Sequence, residues 1–195
     1  MYARVNMIFG SEDKVGAGLA HIEQSDRGAV ESAAGNRGLT TLVDPEAGVI
    51  VVMSYWDDLN QSSDVALTRA REGAAAAAGG ELVAESFEVV VARRPVDPAP
   101  GAVVRLTRVR LEPARVEAGL AFVLDEFLQR LSAGAGLSGA ELLIDRENGN
   151  GLLVTTWTDQ DAADRAEALL DELPFDAAAR AGSTFPGSES YVLVR

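Results

Sequence analysis

Along residues 2–9 the two sides of the chain alternate, with Ala3, Val5, Met7 and Phe9 on one and Tyr2, Arg4, Asn6 and Ile8 on the other. A period of two predicts a β-strand. Ser11-Glu12-Asp13 then reads as a helix start, a capping residue followed by acids in the first turn. Beyond it Val15, Leu19, Ile22 and Val30 fall on one helical face, and Gly35 is a helix stop. Two strands follow, about 39–43 and 49–56, joined by the turn Asp44-Pro45-Glu46-Ala47-Gly48, which predicts a hairpin. A second helix over roughly 58–78 carries an alanine run, and a strand from Phe87 to Arg93 closes the unit. Strand, helix, hairpin, helix, strand is the ferredoxin-like βαββαβ arrangement.

The same pattern returns 101 residues later: Arg4, Val15, Leu19, Asp44, Glu46, Gly48, Trp56 and Asp58 recur as Arg105, Val116, Leu120, Asp145, Glu147, Gly149, Trp157 and Asp159. The second helix has its counterpart at about 159–173, stopped by Pro174, and the last strand at Tyr191–Arg195. Glu85-Ser86-Phe87 meets Glu189-Ser190-Tyr191 at a shift of 104, so three extra residues lie late in the second copy. The chain has only two tryptophans, and both fall in the match. The reading is a tandem repeat, with a first unit at 1–94, a proline-rich linker at 95–101 and a second unit at 102–195.

Helices on one face of a four-stranded sheet leave the other face apolar and in need of cover. The expected fold is therefore α+β, two ferredoxin-like βαββαβ units packed sheet to sheet as a pseudo-dimeric α/β barrel. That arrangement is intramolecular and allows a monomer. A cavity between the two sheets is the expected place for function.

Composition narrows the function classes. A net charge of -13 argues against nucleic acid and anionic membranes as partners. The absence of cysteine excludes disulfides, thiolate metal sites and cysteine nucleophiles. No apolar run approaches a membrane span and no leader pattern opens the chain, so a cytoplasmic protein is expected.

The candidates for chemistry sit on the strands. Arg4 and Arg105 could each hold an anionic oxygen of a ligand, or an acid at the rim. Trp56 and Trp157 share strand faces with Ser54 and Thr155; the rings could wall a flat substrate or simply close the core. Asn6 could orient a carbonyl or dioxygen, or satisfy neighbouring backbone groups. Tyr2 and Tyr55 are further hydrogen-bonding candidates. His21 sits on a helix flank, where exposure is the ordinary outcome, and Asp57 and Asp58 read as caps.

Strand Arg4-Val5-Asn6-Met7, hairpin Leu42-Val43-Asp44 to Gly48, and strand Val51-Val52-Met53-Ser54-Tyr55-Trp56 resemble the antibiotic biosynthesis monooxygenase (ABM) group of the dimeric α/β barrel superfamily. The second copy repeats the resemblance through Leu142-Leu143-Ile144-Asp145 and Leu152-Leu153-Val154-Thr155-Thr156-Trp157. It implies a cofactor-independent monooxygenase of a small aromatic or polyketide-like substrate, with Asn6 and Trp56 in the catalytic positions and no bound cofactor or metal. Tyr2, Arg4, Ser54, Arg105 and Trp157 would contact the substrate. Thr107 stands where the second copy would need the asparagine, and no histidine matches the haem-degrading branch. The alternative is a non-catalytic ligand-binding or regulatory module of the same fold.

Overall fold

A computed structural model of the chain describes residues 1–63, 65–93, 98–171 and 176–195. Part of the predicted linker and the predicted stop at Pro174 lie outside them. The chain divides into two compact units, Met1–Glu88 with Val192–Arg195, and Val89–Tyr191. The class is α+β, as the two periodicities predict.

The first unit holds β1 (Tyr2–Phe9), β2 (Asn36–Asp44), β3 (Val49–Trp56) and the first part of β4 (Glu81–Arg93). The end of β8 (Ser183–Leu193) joins its edge, Val192 and Leu193 lying opposite Val43 and Leu42. The order is β4-β1-β3-β2-β8, with antiparallel pairing throughout. The predicted hairpin forms: the Asp44 carboxylate accepts the backbone N–H groups of Glu46 and Ala47 at 3.1 and 3.0 Å.

Three helices cover one face, α1 (Val15–His21), α2 (Arg27–Glu31) and α3 (Val65–Ala77). Gly35, at φ +76, ends the α2 segment where the sequence predicts a stop. A single turn of π-helix, Ile22–Asp26, connects α1 to α2. The core between helices and sheet is Ile8, Val15, Ile22, Val43, Ile50, Ala74, Ala75 and Ala78. Small residues bring α1 and α3 together: a Cβ on Gly18 would lie 2.8 Å from that of Ala78. On the opposite sheet face Ala3, Val5, Met7, Val51 and Met53 are equally buried.

The second unit repeats this order. Its strands are β5 (Val103–Leu111), β6 (Leu137–Asp145), β7 (Asn150–Trp157), most of β8 and the end of β4, arranged β8-β5-β7-β6-β4. Its helices are α4 (Val116–Phe122), α5 (Leu128–Ala133), α6 (Gln160–Asp171) and α7 (Ala177–Arg180), with a π turn at Val123–Phe127. Both β2 and β6 carry a register shift near their starts, between Asn36 and Gly38 and between Leu137 and Gly139.

The last strands are longer than expected, starting at Glu81 and Ser183 rather than Phe87 and Tyr191. Their early residues mix polar and apolar side chains without alternation, so no period reveals them, yet Glu81 to Glu88 pair along the whole of β1. The second helix of the first unit begins later than expected, after a 3₁₀ segment at Leu59–Ser63. Asp58 accepts the backbone N–H of Asn60 in that segment, while Asp57 takes Arg37 in a two-pronged ion pair rather than a cap. Among the described residues no helix is long and apolar enough to cross a membrane.

Candidate functional site

Register decides which strand residues meet the helices. Arg4, Asn6 and Ile8 lie opposite Ser54, Val52 and Ile50, so these six side chains share the helix-facing side of the first sheet. A slot opens there between sheet and helices. It is lined by Asn6, Ser54 and Trp56 from the strands, Ile22, Asp26 and Val30 from the α1–α2 segment, and Leu67, Ala70 and Arg71 from α3. The sequence expectation put the cavity on the helix-free side; this slot lies on the helix-covered side of one sheet. The reason is the packing of small side chains. Alanine and glycine on α3 cannot fill the space that larger residues would, so the gap falls under that helix.

The slot is narrow, about 40 Å³. That exceeds the ~10–15 Å³ needed for one water and falls well short of the ~300 Å³ at which drug-sized pockets begin. Its walls are well defined. Trp56 is 1% exposed, and its indole N–H donates to Ser54 Oγ at 2.9 Å, which fixes the ring. Ser54 Oγ lies 3.4 Å from the Arg4 carbonyl, to which it donates. Asn6 is 3% exposed and its Oδ1 has no hydrogen-bond partner. A buried acceptor left unpaired is costly, of order 1–3 kcal/mol, and marks a place where a guest can bond.

The second unit has a groove in the matching place, lined by Arg105, Thr107, Thr155 and Trp157 from strands and by Phe127, Leu131, Ala163, Ala166 and Glu167 from helices. It is roomier, about 360 Å³. Trp157 is held as Trp56 is, donating to Thr155 Oγ1 at 3.0 Å. Arg105 is neutralised, its guanidinium bonding Glu167 at 2.7 Å and Asp164 at 2.6 Å.

No family model matches the chain. An uncharacterized protein of Mycobacterium tuberculosis (strain ATCC 25618 / H37Rv) is 28% identical over 167 residues, 85% of this chain and 75% of the relative. Among solved structures, an anthrone oxidase-like protein superposes with a TM-score of 0.69 at 12% identity, over 100% of this chain and 91% of the other. A Listeria monocytogenes 4b F2365 ferredoxin-fold protein related to antibiotic biosynthesis monooxygenases superposes with a TM-score of 0.51 at 12% identity, over 99% and 95%.

The chain has the ABM fold.

Within this ABM fold the sequence-predicted residues separate into three groups. Asn6, Ser54 and Trp56 line the first unit's slot, and Arg105 and Trp157 line the second unit's groove. Arg4 shares the face of Asn6 and its buried Nε has no partner, but it does not itself line the slot. Tyr2, at 37% exposure, lies on the surface beyond the slot, and Tyr55 faces away from it.

Two ionisable lining residues escaped the sequence reading, Arg71 and Asp26. Arg71 hydrogen-bonds the Ser62 carbonyl at 3.1 Å and Thr68 Oγ1 at 3.0 Å. Burial, and then the neighbouring charge of Arg4, lower its pKa, against a smaller opposite pull from Glu72. No ion pair with a carboxylate is found for Arg4 or Arg71 among the described residues. Arg4 and Arg71 thus bring two positive charges to the strand–helix interface of the first unit, where Asp26 brings a negative one.

Asp26 owes its position to the π turn. In an α-helix, residues five apart point about 140° from each other. The wider i→i+5 turn brings His21 and Asp26 to one side, with Nε2 and Oδ2 3.5 Å apart. His21 also packs over Gly73 of α3, where a Cβ would fall 2.8 Å from Nε2. Burial raises the Asp26 pKa, and the His21 charge partly opposes this. Among the described residues no group of three or more His, Cys, Asp or Glu is placed to hold a metal ion.

Proposed function

We propose that the protein is a cofactor-independent monooxygenase of a small aromatic substrate, with its chemistry in the first unit. One observation carries this reading. Asn6, with an unpaired acceptor, and Trp56, locked by Ser54, converge on a single slot beside two unneutralised arginines. The ABM fold supports it, as does the likeness to an anthrone oxidase-like protein. In such a reaction a ring CH₂ and dioxygen give a carbonyl and water: two C–H bonds break, one oxygen atom becomes the carbonyl oxygen on that carbon and the other leaves as water. The ionised substrate supplies electrons directly to dioxygen. Arg71 would hold the negative charge that develops on the substrate oxygen, Arg4 outside the slot would add to the positive field, and Trp56 would form one wall. The slot has to widen to admit a ring, through movement of the π turn away from α3.

A second reading is a non-catalytic binding module. The narrowness of the slot favours it, since a closed interior leaves the arginines structural. Dioxygen uptake with anthrone separates the two. The oxygenase consumes dioxygen in step with anthrone, and Trp56→Phe slows it at least about tenfold. Absence of uptake above the buffer rate over a panel of anthrones and related polyphenols would leave only the binding module.

A further inference from the structure

The oxygenase account needs a group to remove the first substrate proton, and the residues that resemble the ABM group do not include one. We propose that Asp26 is that general base, oriented by His21. This deepens the oxygenase reading and rests on it for the location of the substrate. The pair sits where a base is needed. Asp26 lines the slot with Asn6 and Trp56, while His21 stands on its far side, between Asp26 and α3.

The second unit shows that the pair is not a requirement of the fold. It has the same π turn, and 101 residues on from His21 and Asp26 stand Phe122 and Phe127. Both pack on Phe185, with ring centroids 6.5 and 4.5 Å apart. The turn therefore juxtaposes positions five apart in both units. One unit uses it for an aromatic cluster and the other for a carboxylate–imidazole pair. An apolar pair serves packing better, so retention of two ionisable groups at a half-buried site calls for another role.

The step balances simply. Asp26 as carboxylate takes a proton from a substrate ring CH₂ conjugated through the flanking aromatic rings to a carbonyl. The C–H electron pair stays on the substrate as an enolate, whose oxygen lies toward Arg71. The proton now on Asp26 returns to solvent past His21, which is a third exposed. A carboxylate in a dry setting is a stronger base than one in water, and the raised pKa of Asp26 is in that direction. Of the ionisable groups near Asp26, His21 is the one whose charge acts on it; Glu23 and Arg27 of its own segment pair with each other, Arg71 comes from α3, and the facing strand residues, Asn6, Ser54 and Trp56, do not titrate.

The test follows proton exchange of anthrone in deuterium oxide under nitrogen, where oxygenation cannot occur. The full-length wild type should speed loss of the CH₂ proton signal over buffer. Asp26→Asn should remove at least about 100-fold of that acceleration while keeping the native circular dichroism spectrum. Asp26→Ser is the second variant if the amide misfolds. His21→Gln should move the rising limb of the pH profile upward, because the charge that holds the Asp26 pKa down is lost. Exchange that is absent in the wild type, or equal in wild type and Asp26→Asn, overturns the base assignment. Exchange without dioxygen uptake in air leaves the base standing and removes the oxygenase. Dioxygen uptake that survives in Asp26→Asn does the reverse.

Discussion

The two helix-covered cavities differ in opposite senses. The first is about 40 Å³, with Asn6, Asp26 and Arg71 in an otherwise mostly apolar wall; the second is about 360 Å³, and its Arg105 is already neutralised by Glu167 and Asp164. The differences come as a set. Asn6 corresponds to Thr107, His21 to Phe122 and Asp26 to Phe127 at the shift of 101, and Arg71 corresponds to Glu167 by its place on the helix. The contrast extends to how each helix pair is fastened. In the first unit Arg27, buried, bonds Glu23, Glu31, Thr41 and the Leu39 carbonyl. At the same positions the second unit has Leu124, Leu128 and Leu142. The same order of elements thus supports two ways of fastening helix to sheet, one by apolar packing and the other by a buried ion-pair network. Strength of packing and possession of reactive groups are separable.

The largest expected effect separates the units by activity. Asn6→Thr, which copies Thr107, should lower kcat/KM for anthrone oxidation by about 100-fold, and Thr107→Asn should change it less than about twofold. Equal losses in the two would break the comparison. The next effect is on stability. Arg27→Ala leaves Glu23 without its principal partner and should cost about 2–3 kcal/mol, the exposed side of the carboxylates holding it below the full value for a buried pair. Leu128→Ala should cost a similar 2–4 kcal/mol through a cavity instead. Chemical denaturation measures both. The combined Glu23→Leu, Arg27→Leu, Thr41→Leu variant, which copies the second unit, should be at least as stable as wild type.

Acid sharpens that contrast. Burial raises the Glu23 pKa, but hydrogen bonds from Arg27 and Thr41 outweigh it, and the net direction is downward. A carboxyl with a lowered folded pKa contributes stability above its ordinary value, and that contribution fades as pH falls through the folded value. The melting temperature of wild type should therefore fall between pH 5 and 3 by more than that of the triple-leucine variant, by about 2–4 °C. Asp26 acts with the opposite sign, since its raised pKa makes protonation favour the folded state, so Asp26→Asn should steepen the acid loss. The smallest effect is Glu167→Gln. Arg105 keeps Asp164, and an exposed pair of this kind is worth under about 1 kcal/mol in a melting experiment.

Much of this was legible in residue order. Alternation located β1, a turn between two apolar runs located β2 and β3, and the strand period placed Asn6 on one face and Ser54 with Trp56 on one face, which the register joins. What stayed hidden has physical reasons. The early part of β4 is half polar, so it lacks a hydrophobic period. Asp26 was invisible because a helical wheel at 3.6 residues per turn separates it from His21, and only the π turn unites them. The replacement of both by phenylalanine at one shift is the available signal. The side of the sheet that bears the slot depends on the small residues of α3, whose effect on packing is not a matter of pattern.

A crystal structure with anthraquinone, an inert oxidised relative of anthrone, tests the central claim most directly. The ring should lie against Trp56 in the first unit, with a carbonyl oxygen toward Arg71 and the Ile22–Asp26 turn displaced from α3. A ring found only beside Phe127, Phe185 and Trp157, with the first slot still closed, would contradict the account.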